Sequence, residues 1–461
     1  MTGIRTSAAV LAGKSAGVAT RLARRGGGTA LPGLVADRVD PQLVANLGRT
    51  LGRGRVMVTG TNGKTTTSRI IAATFDAARL PYVHNREGSN LMRGMASTLL
   101  AAAGPFGTIP GATSKAGLFE ADEATMPAAV PALQPRVIAF TNLFRDQLVR
   151  YGEVDTVATL WRQSLARAPK DATLLLNADD PSVAELAVGW SGPVHWFGLD
   201  DPAFATETAG AFDARWCACG GDYRYERRYF AHVGWWRCTN CDRKRPEPAT
   251  SARALQLDLD HASFEADGLG PVEMPLTGLY NVYNALAAIA ACRALGIADD
   301  AIRAGLRTVR PAFGRQEVVD LNGRNLRLFL AKNPAGANQV LLLLRELARR
   351  RSPLKVALLL NDRFADGQDV SWIWDVDHEL LSGSVAGWWA GGDRAEDLAV
   401  RLKYAGWPAP GAVTHSPATL LDAFLGATNP GEDIFVIPTY TAMLDLRQEL
   451  LERHAVAGAM E

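Results

Sequence analysis

The sequence has little net charge and few cysteines, and each shortage excludes a class of protein. Its 461 residues carry 49 Lys and Arg against 48 Asp and Glu, a formal net charge of +1. No broad electrostatic field therefore draws the chain to nucleic acid or to an anionic membrane, and any such binding would need a local patch. Five cysteines in a chain of this length do not indicate a disulfide framework, so we expect a cytoplasmic protein.

Long hydrophobic runs are also missing. No stretch approaches the roughly 18 consecutive apolar residues of a transmembrane helix. The N-terminal stretch SAAVLAGKSAGVATRLARR is interrupted by Lys14 and carries its other basic residues late, unlike a signal peptide. We expect an amphipathic helix that packs on its own domain. Binding to a membrane surface is the weaker alternative, because the apolar face is mostly alanine.

What the sequence does have is an α/β pattern that occurs twice. A hydrophobic fraction of 48% is enough for two to four domains with full cores. Short apolar runs that end in polar residues alternate with helical segments, as central parallel strands do when their carboxyl ends line a site. The runs are 56–58, 117–120, 136–141 and 172–177 in the first pattern, and 326–330, 355–360 and 434–437 in the second.

Other stretches mark helices, an antiparallel strand and a boundary. The alternating stretch 254–266 predicts one antiparallel strand, and 279–295 predicts a helix. The turn-forming stretch PAFGRQ (311–316) predicts a domain boundary. The predicted parts are a helical segment over 1–52, an α/β domain over 53–316 and a smaller α/β domain over 317–461.

One stretch, VMVTGTNGKTTTSRI (56–70), has the parts of a phosphate-binding loop without matching the usual pattern. The pattern G-x-x-x-x-G-K-[ST] requires glycine at position 58, where the chain has Val58. Backbone N–H groups at a helix start can nevertheless hold phosphates, while a lysine reaches the outer phosphates and a hydroxyl binds Mg²⁺. A glycine-rich turn with an incidental lysine is the alternative. The candidate loop residues are Gly60, Thr61, Asn62, Gly63, Lys64, Thr65 and Thr66.

Acidic residues at strand ends supply candidate ligands for Mg²⁺, which prefers hard oxygen donors. Thr65 offers one such oxygen. Glu120 falls at the end of a predicted strand, so we favour it as a metal ligand over a solvated surface residue. For Asp122 and Glu123 the two alternatives stay open. The next strand end adds Asn142, Arg145 and Asp146, each of which could be a cap or a surface charge.

Four of the five cysteines fall in two close pairs within an aromatic, basic segment, about 213–248. The pairs are Cys217 with Cys219 and Cys238 with Cys241, separated by enough chain for a hairpin. Four thiolates at such spacing suit a structural, tetrahedral Zn²⁺. Unrelated buried cysteines, and less so a catalytic dithiol, are the alternatives. The fifth, Cys292, lies in an alanine-rich helical stretch and is expected in the core.

Four motifs in a fixed order give the sequence a family resemblance. They are TGTNGKTTT followed by the strand-end glutamate, TNLFRDQL, GLYNVYNALAA and FGRQE, spread over about 260 residues. They resemble the ATP-binding domain of the Mur ligases and folylpolyglutamate synthases, which phosphorylate a carboxylate with ATP and let an amine attack the acyl phosphate. The resemblance implies a Mur ligase-type P-loop domain with an inserted four-cysteine zinc ribbon, followed by a smaller α/β C-terminal domain.

The ribbon and two C-terminal stretches, LAKNPAGANQVL (330–341) and NDRFADGQDVSWIWD (361–375), narrow the resemblance to the amidating branch of this family. By that likeness the protein amidates the α-carboxylate of D-glutamate in lipid II, giving D-isoglutamine in peptidoglycan synthesis at the inner face of the plasma membrane. A separate glutaminase subunit of the GatD type would supply ammonia. ATP, Mg²⁺ and structural Zn²⁺ are the implied cofactors, and nucleic acid is not an implied partner.

The resemblance also carries roles onto particular residues. The implied roles are ATP phosphate binding for Lys64 and the loop, Mg²⁺ binding for Thr65 and Glu120, adenine-side contact for Asn281 and a position near the phosphates for Arg315. From the residues alone, Asn281 and Asn284 could equally cap a helix.

Two departures from ordinary Mur ligases favour amidation over amino-acid addition. About fifty residues before the loop are too few for a UDP-recognition domain, which fits a lipid-linked substrate better. The family motif D-Y-A-H-N-P is here Leu330-Ala331-Lys332-Asn333-Pro334, without the aspartate and histidine. Lys332 could stabilise the developing acyl-phosphate charge, or it could be a surface lysine at a strand end.

Four aspartates surround a glycine in the segment 361–375, beside Trp372 and Trp374. Such a cluster usually marks a solvated loop or a cation site. The resemblance implies that one of these four aspartates, which include Asp375, orients the catalytic histidine of the glutaminase. The candidate site residues are Asp362, Asp366 and Asp369. The tryptophans could be interface anchors or core residues.

Two other functions remain as alternatives. The first is a Mur-type or folylpolyglutamate-type ligase that adds an amino acid. The second is a nucleic-acid-binding ATPase that uses the aromatic and basic residues of the ribbon, which predicts steeply salt-dependent binding to oligonucleotides. The ribbon residues in question are Tyr223, Arg224, Tyr225, Arg227 and Arg228.

Overall fold

Two β-sheets organise the chain in the computed structural model, which describes residues 3–22, 31–85, 89–146, 154–206, 213–311, 314–350 and 353–455. The predicted boundary at 311–316 and the end of the motif TNLFRDQL lie partly outside these residues. None of the described helices is long and apolar enough to cross a membrane.

The first sheet has nine strands. They are β1 (Arg55–Thr59), β2 (Tyr82–His84), β3 (Ala116–Glu120), β4 (Val137–Phe140), β5 (Thr173–Asn177), β6 (Val194–Leu199), β9 (Thr250–Leu257), β10 (Ala262–Ala266) and β11 (Gly270–Met274). Their order across the sheet is β11-β10-β9-β6-β5-β4-β1-β3-β2. The pairs from β2 across to β9 are parallel, and β10 and β11 continue the sheet antiparallel. The loops after β1, β3 and β4 therefore meet at one edge of the sheet.

Helices cover both faces of this sheet because its central strands are apolar at every position. In β1, Val56 and Val58 join one hydrophobic cluster while Met57 joins the cluster on the opposite face. Side chains alternate along a strand, so such a run must be covered on both sides. The helices of this part of the chain are Ile4–Leu22, Leu31–Val39, Leu43–Gly48, Lys64–Ala77, Met92–Ala102, Met126–Leu133, Val154–Leu165, Pro181–Ala184, Leu279–Ala294 and Asp299–Thr308.

A separate two-stranded hairpin, β7 (Tyr223–Phe230) with β8 (Val233–Cys238), lies between β6 and β9 in the sequence. It packs on the carboxyl ends of the sheet strands. The Trp236 indole N–H donates to the Ala178 carbonyl at 2.9 Å, and the Tyr229 hydroxyl donates to the Leu199 carbonyl at 2.9 Å. The hairpin is therefore fixed to the edge of the sheet where β5 and β6 end.

The second sheet has six strands. They are β12 (Arg315–Leu321), β13 (Arg324–Phe329), β14 (Leu354–Leu359), β15 (Val385–Gly391), β16 (Ala412–Thr414) and β17 (Asp433–Pro438). Their order is β12-β13-β17-β14-β15-β16. Only the β12–β13 pair of these described strands is antiparallel. The helices of this part are Pro334–Arg350, Ala395–Tyr404, Pro417–Ala427 and Tyr440–Glu452.

The structure confirms an α/β fold with a parallel sheet and a second α/β part, and it corrects one element. The stretch 254–266 is not one antiparallel strand: β9 ends at Leu257 and β10 begins at Ala262, and the two form a hairpin. The apolar alternation changes phase by one residue at Asp260-His261, and this short break lies at the turn where the chain reverses. Strands β2, β6, β11, β12, β15 and β16 were not predicted.

Candidate active site

The loop between β1 and the helix Lys64–Ala77 turns at two glycines with left-handed backbone. Gly60 has φ 138° and Gly63 has φ 88°. A Cβ at Gly60 would lie 2.0 Å from the Thr141 hydroxyl, and one at Gly63 would lie 2.0 Å from Asn284 Oδ1. Neither position accepts another residue without rearrangement. Val58, where the usual pattern requires glycine, is a buried residue of β1 and takes no part in the turn.

The loop is held in place from the end of β4. The Asn62 backbone N–H donates to Asn142 Oδ1 at 2.8 Å, and Asn142 Nδ2 donates to the Asn62 carbonyl at 3.1 Å. The Thr61 hydroxyl donates to the Phe144 carbonyl at 3.1 Å and accepts from the Phe144 N–H at 2.9 Å. These bonds order the loop before any phosphate reaches it. Asn142, a candidate cap or surface residue in the sequence, thus supports the loop.

Lys64 is buried at the start of its helix and is held by the loop and by Glu123. Its Nζ donates to the Gly60 carbonyl at 2.5 Å and lies 2.8 Å from Glu123 Oε1. Burial by itself lowers the pKa of Lys64, but Glu123, helped by Glu120 and Asp122, outweighs burial and raises the pKa. The amine therefore stays charged, and Glu123 is its carboxylate partner.

Thr65 and Glu120 meet beside this lysine. The Thr65 hydroxyl donates to Glu120 Oε1 at 3.2 Å, and both residues are buried. Asn85 clamps the backbone of Glu120: its Oδ1 accepts from the Glu120 N–H and its Nδ2 donates to the Glu120 carbonyl, each at 2.8 Å. A hydroxyl and a carboxylate at this distance are a donor set that fits Mg²⁺. Asn85 was missed because it follows β2, whose run of three residues is too short to stand out.

The asparagines of the helix Leu279–Ala294 link it to the helix Lys64–Ala77 and do not cap it. This helix has no side-chain N-cap. Asn281 Nδ2 donates to the Thr277 carbonyl at 2.8 Å, and Asn284 Nδ2 donates to Asn281 Oδ1 at 3.0 Å. The Thr67 hydroxyl in turn contacts Asn284 Oδ1 at 3.4 Å. The capping alternative is wrong, and the pair is a buried contact between two helices of the site.

Arg315 is the first residue of β12 and is half-buried. The contacts of the motif FGRQE are made by the next residue, Gln316. Gln316 Nε2 donates to the Thr277 carbonyl at 2.5 Å and to the Tyr280 hydroxyl at 2.6 Å. Burial raises the pKa of Tyr280 to about 12, while Gln316 and Arg315 oppose the shift. The motif FGRQE therefore reaches the start of the asparagine-bearing helix through Gln316, which was not among the predicted site residues.

Residues of the C-terminal part, which contains the second sheet, contact the phosphate loop directly. Lys332 Nζ lies 2.5 Å from Asp146 Oδ2. Asn333 Nδ2 donates to Asn62 Oδ1 at 3.1 Å, and Asn62 Nδ2 donates to Asn333 Oδ1 at 3.3 Å. Lys332 also acts electrostatically on Glu123. Burial raises the pKa of Glu123, and the positive charges of Lys64 and Lys332 oppose that shift. Lys332 is thus ion-paired at the junction of the two sheets rather than free at the surface.

Arg145 forms a second connection across the same junction. Its Nε lies 2.5 Å from Asp213 Oδ1, and its Nη2 lies 3.2 Å from Asp375 Oδ2. Asp213 begins the cysteine-bearing segment and Asp375 belongs to the C-terminal part. Arg145, in the loop after β4, therefore contacts both the cysteine-bearing segment and the C-terminal part.

The three aspartates predicted to serve a partner have separate contacts. Asp362 pairs with Arg394 at 3.1 Å. Asp366 is buried and accepts the Thr441 backbone N–H at 2.8 Å, so it holds the start of a helix. Asp369 is exposed and accepts the N–H of Ser371 at 2.8 Å, and this bonding lowers its pKa.

The two tryptophans of this segment have different surroundings. Trp372 packs, partly buried, against the core of the second sheet. Trp374 is half-exposed, and its ring centroid lies 5.7 Å from that of Tyr404, a largely exposed residue. One tryptophan is therefore a core residue and the other belongs to a surface.

The four paired cysteines converge. Their Sγ atoms all lie within 4.8 Å of one another. The Cys217 and Cys241 sulfurs are 3.8 Å apart, and those of Cys219 and Cys238 are 3.4 Å apart. Tetrahedral Zn²⁺ with Zn–S bonds of about 2.3 Å requires sulfurs about 3.8 Å apart, so this donor set fits. Cys292 is buried in its helix, as expected, and burial raises its pKa to about 12.

Comparisons with known proteins identify the class first. The Mur ligase middle domain matches residues 58–215, and the MurT ligase C-terminal domain matches residues 330–443. The solved structure of a pseudomurein peptide ligase type C from Methanothermus fervidus has a TM-score of 0.65 at 20% identity, covering 88% of this chain and 79% of that chain. Fold and phosphate loop together define a ligase of the Mur type.

Two relatives narrow the class. The lipid II isoglutaminyl synthase (glutamine-hydrolyzing) subunit MurT of Streptococcus pneumoniae is 33% identical over 471 residues, 99% of this chain and 99% of the relative. The MurT subunit of Staphylococcus aureus strain COL is 32% identical over 435 residues, 92% of this chain and 93% of the relative. The chain belongs to the MurT family of lipid II isoglutaminyl synthase subunits.

Proposed function

We propose that the chain amidates the α-carboxylate of D-glutamate in lipid II, giving D-isoglutamine through an acyl phosphate. ATP activates the carboxylate, and a GatD-type glutaminase subunit supplies the ammonia. A lipid-linked substrate places the reaction at the inner face of the plasma membrane. The observation that carries the proposal is the junction at the phosphate loop, where Lys332 and Asn333 contact Asp146 and Asn62. The relatives named for this activity match nearly the whole chain.

The ATP phosphates would lie on the backbone N–H groups of the loop, with Lys64 on the outer phosphates. Lys64 is charged and already directed into the loop, so it can exchange its contact with Glu123 for one with phosphate. Thr65 and Glu120 would hold Mg²⁺, which neutralises phosphate charge. The adenine would lie toward Asn281, and Arg315 toward the phosphates.

Lys332 would stabilise negative charge on the transferring phosphoryl group. It is the cation that the C-terminal part brings to the loop at the point where Asp146 and Glu123 lie. A fixed positive charge in a partly buried site stabilises a transition state more than the same charge in water. Contact between the C-terminal part and the loop would therefore complete the site.

A structural Zn²⁺ would be held by Cys217, Cys219, Cys238 and Cys241. Their sulfur spacing supports this assignment, and so does the small apolar cluster around them, which pairs Tyr223 with Trp236 at 5.1 Å. A hairpin with so little core of its own gains stability from a metal. The ion would hold the hairpin and take no part in the reaction.

The partner glutaminase would meet the segment that contains Asp369. Among the three candidate aspartates, Asp366 already holds a helix start and Asp362 pairs with Arg394. The exposed carboxylate of Asp369 remains accessible to another chain, and Trp374 with Tyr404 offers an aromatic anchor nearby in the same part of the fold.

The deciding experiment supplies purified protein with lipid II, Mg-ATP and ammonium chloride. We expect ADP and amidated lipid II, identified by mass spectrometry, and no glutamine hydrolysis without the partner. Thr65→Val and Glu120→Gln should abolish turnover, while Thr65→Ser, which keeps the hydroxyl, should retain it. Addition of an amino acid in place of ammonium-dependent amidation would contradict the proposal.

A further inference from the structure

Asp146 is a buried carboxylate with one oxygen in use and one without a partner. It lies in the loop after β4, and its side chain is 8% exposed. Oδ2 faces Lys332 Nζ at 2.5 Å, whereas Oδ1 has no hydrogen-bond partner among the described residues. A buried acceptor without a donor is unfavourable. The position therefore favours a ligand that brings an N–H or O–H group to Oδ1.

The surroundings of Asp146 connect it to the phosphate loop. Lys332, its partner, acts electrostatically on Glu123, and Glu123 holds Lys64 of the phosphate loop at 2.8 Å. The same loop is bonded through Asn142, four residues before Asp146. Asp146 thus lies at the contact between the phosphate loop and the C-terminal part, paired with the lysine that acts on Glu123.

The charges at the junction select the kind of ligand. Lys332 already neutralises Asp146, so a dication placed on Oδ1 would be repelled by the nearby ammonium group. A small neutral molecule that donates N–H is not repelled.

We propose that Asp146 Oδ1 binds the ammonia that attacks the acyl phosphate, an inference that rests on the function proposed above. Ammonia donates one N–H to Oδ1 and directs its lone pair to the acyl carbon. The C–N bond forms from that lone pair, and the C–O bond to phosphate breaks with its electron pair leaving on phosphate. The proton that nitrogen must lose passes to Oδ1. The departing phosphate takes that proton from Oδ1, so the products are the amide, hydrogen phosphate and the Asp146 carboxylate.

The test separates the nucleophile step from activation. Asp146→Asn keeps the size of the side chain and removes its charge and basicity. At saturating Mg-ATP and lipid II, we expect the KM for ammonium to rise at least about tenfold and kcat to fall about a hundredfold. Positional isotope exchange in ATP with lipid II and no ammonium reports acyl-phosphate formation alone, and it should be retained. Asp146→Glu, which keeps a carboxylate, should restore part of the ammonium-dependent rate.

Asp260→Asn is the matched control, because Asp260 also forms an ion pair between the two parts of the chain, with Arg327. It should leave the KM for ammonium unchanged. Loss of isotope exchange in Asp146→Asn, or a raised KM for Mg²⁺ with an unchanged KM for ammonium, would overturn the proposal. If the wild-type protein makes no ammonium-dependent product, the proposed function itself fails. If the wild-type protein amidates lipid II and Asp146→Asn has the same kcat and the same KM for ammonium, the ammonia site is refuted and the proposed function stands.

Discussion

Asn62 of the phosphate loop and Asn333 of the C-terminal part exchange side-chain hydrogen bonds at 3.1 and 3.3 Å. The pair is neutral, and each amide satisfies the other, so it forms and separates without leaving a buried charge behind. Asn62 is also held through its backbone by Asn142. The position of the C-terminal part is therefore connected directly to the backbone of the loop for which we propose phosphate binding.

Gly63→Ala should weaken nucleotide binding more than it weakens the fold. The backbone at Gly63 is left-handed, and an added Cβ would lie 2.0 Å from Asn284 Oδ1. Strain of this kind is on the order of 1–3 kcal/mol, so we expect ADP affinity to fall about tenfold or more. Gly189→Ala is the control, because Gly189 has a similar φ of 80° with no atom within 4 Å of the added Cβ. Equal losses of ADP affinity, measured by calorimetry, would contradict the steric explanation.

Zinc analysis of the purified protein should find one ion per chain. Cys217→Ser should lower the zinc content and the melting temperature, because its sulfur is one of four within 4.8 Å of one another. Cys292→Ala removes a buried thiol outside the cluster and should keep the metal. Zinc content that is unchanged in serine variants of all four clustered cysteines would rule out this site.

His378 should make the C-terminal part sensitive to mild acid. Burial, together with Arg401, lowers the pKa of His378 to about 3, although Glu379 opposes the shift. The unfolded chain titrates near 6.5 and so binds the proton more readily than the folded chain. The contribution of neutral, buried His378 to the free energy of unfolding is complete above about pH 6.5. It falls as the pH drops toward about 3, by up to about 1.4 kcal/mol per pH unit.

The free energy of unfolding of wild type and of His378→Phe is measured by urea unfolding between about pH 7 and about pH 4. In this range protonation of His378 in the unfolded chain lowers the stability of the wild type. Phenylalanine does not titrate, so the variant should lose less stability over this range. His415→Gln is the control, since His415 is exposed and pairs with Glu396 at the surface. Parallel pH profiles for wild type and His378→Phe would refute the linkage.

The phosphate loop and the central strands could be predicted from sequence because their signals are local. The β-branched run before Gly60 and the helical spacing after Lys64 lie within a few residues of each other. Strands β15 and β16 carried less signal: β15 reads VAGWWAG, with glycines that weaken a strand pattern, and β16 has three residues.

The long-range contacts of the site could not be predicted. Asp146 and Lys332 are 186 positions apart in the chain, and no periodicity relates them. From sequence, Asp146 could as well have been a cap, and Asn85 gave no signal at all. Their place follows from how the sheets pack, because a pattern records the environment of each residue and not its partner.

The hairpin β7–β8 has a consequence for how this chain could be shortened. β6 and β9 are parallel neighbours, with Phe197 opposite Thr250. A strand that returns parallel beside its predecessor needs a long connection, commonly a helix. Here residues 200–249 make that return. A deletion that joined Leu199 directly to Thr250 would prevent β9 from pairing parallel to β6. The segment is therefore needed for the sheet to form, and it can be replaced only by another connection of comparable length.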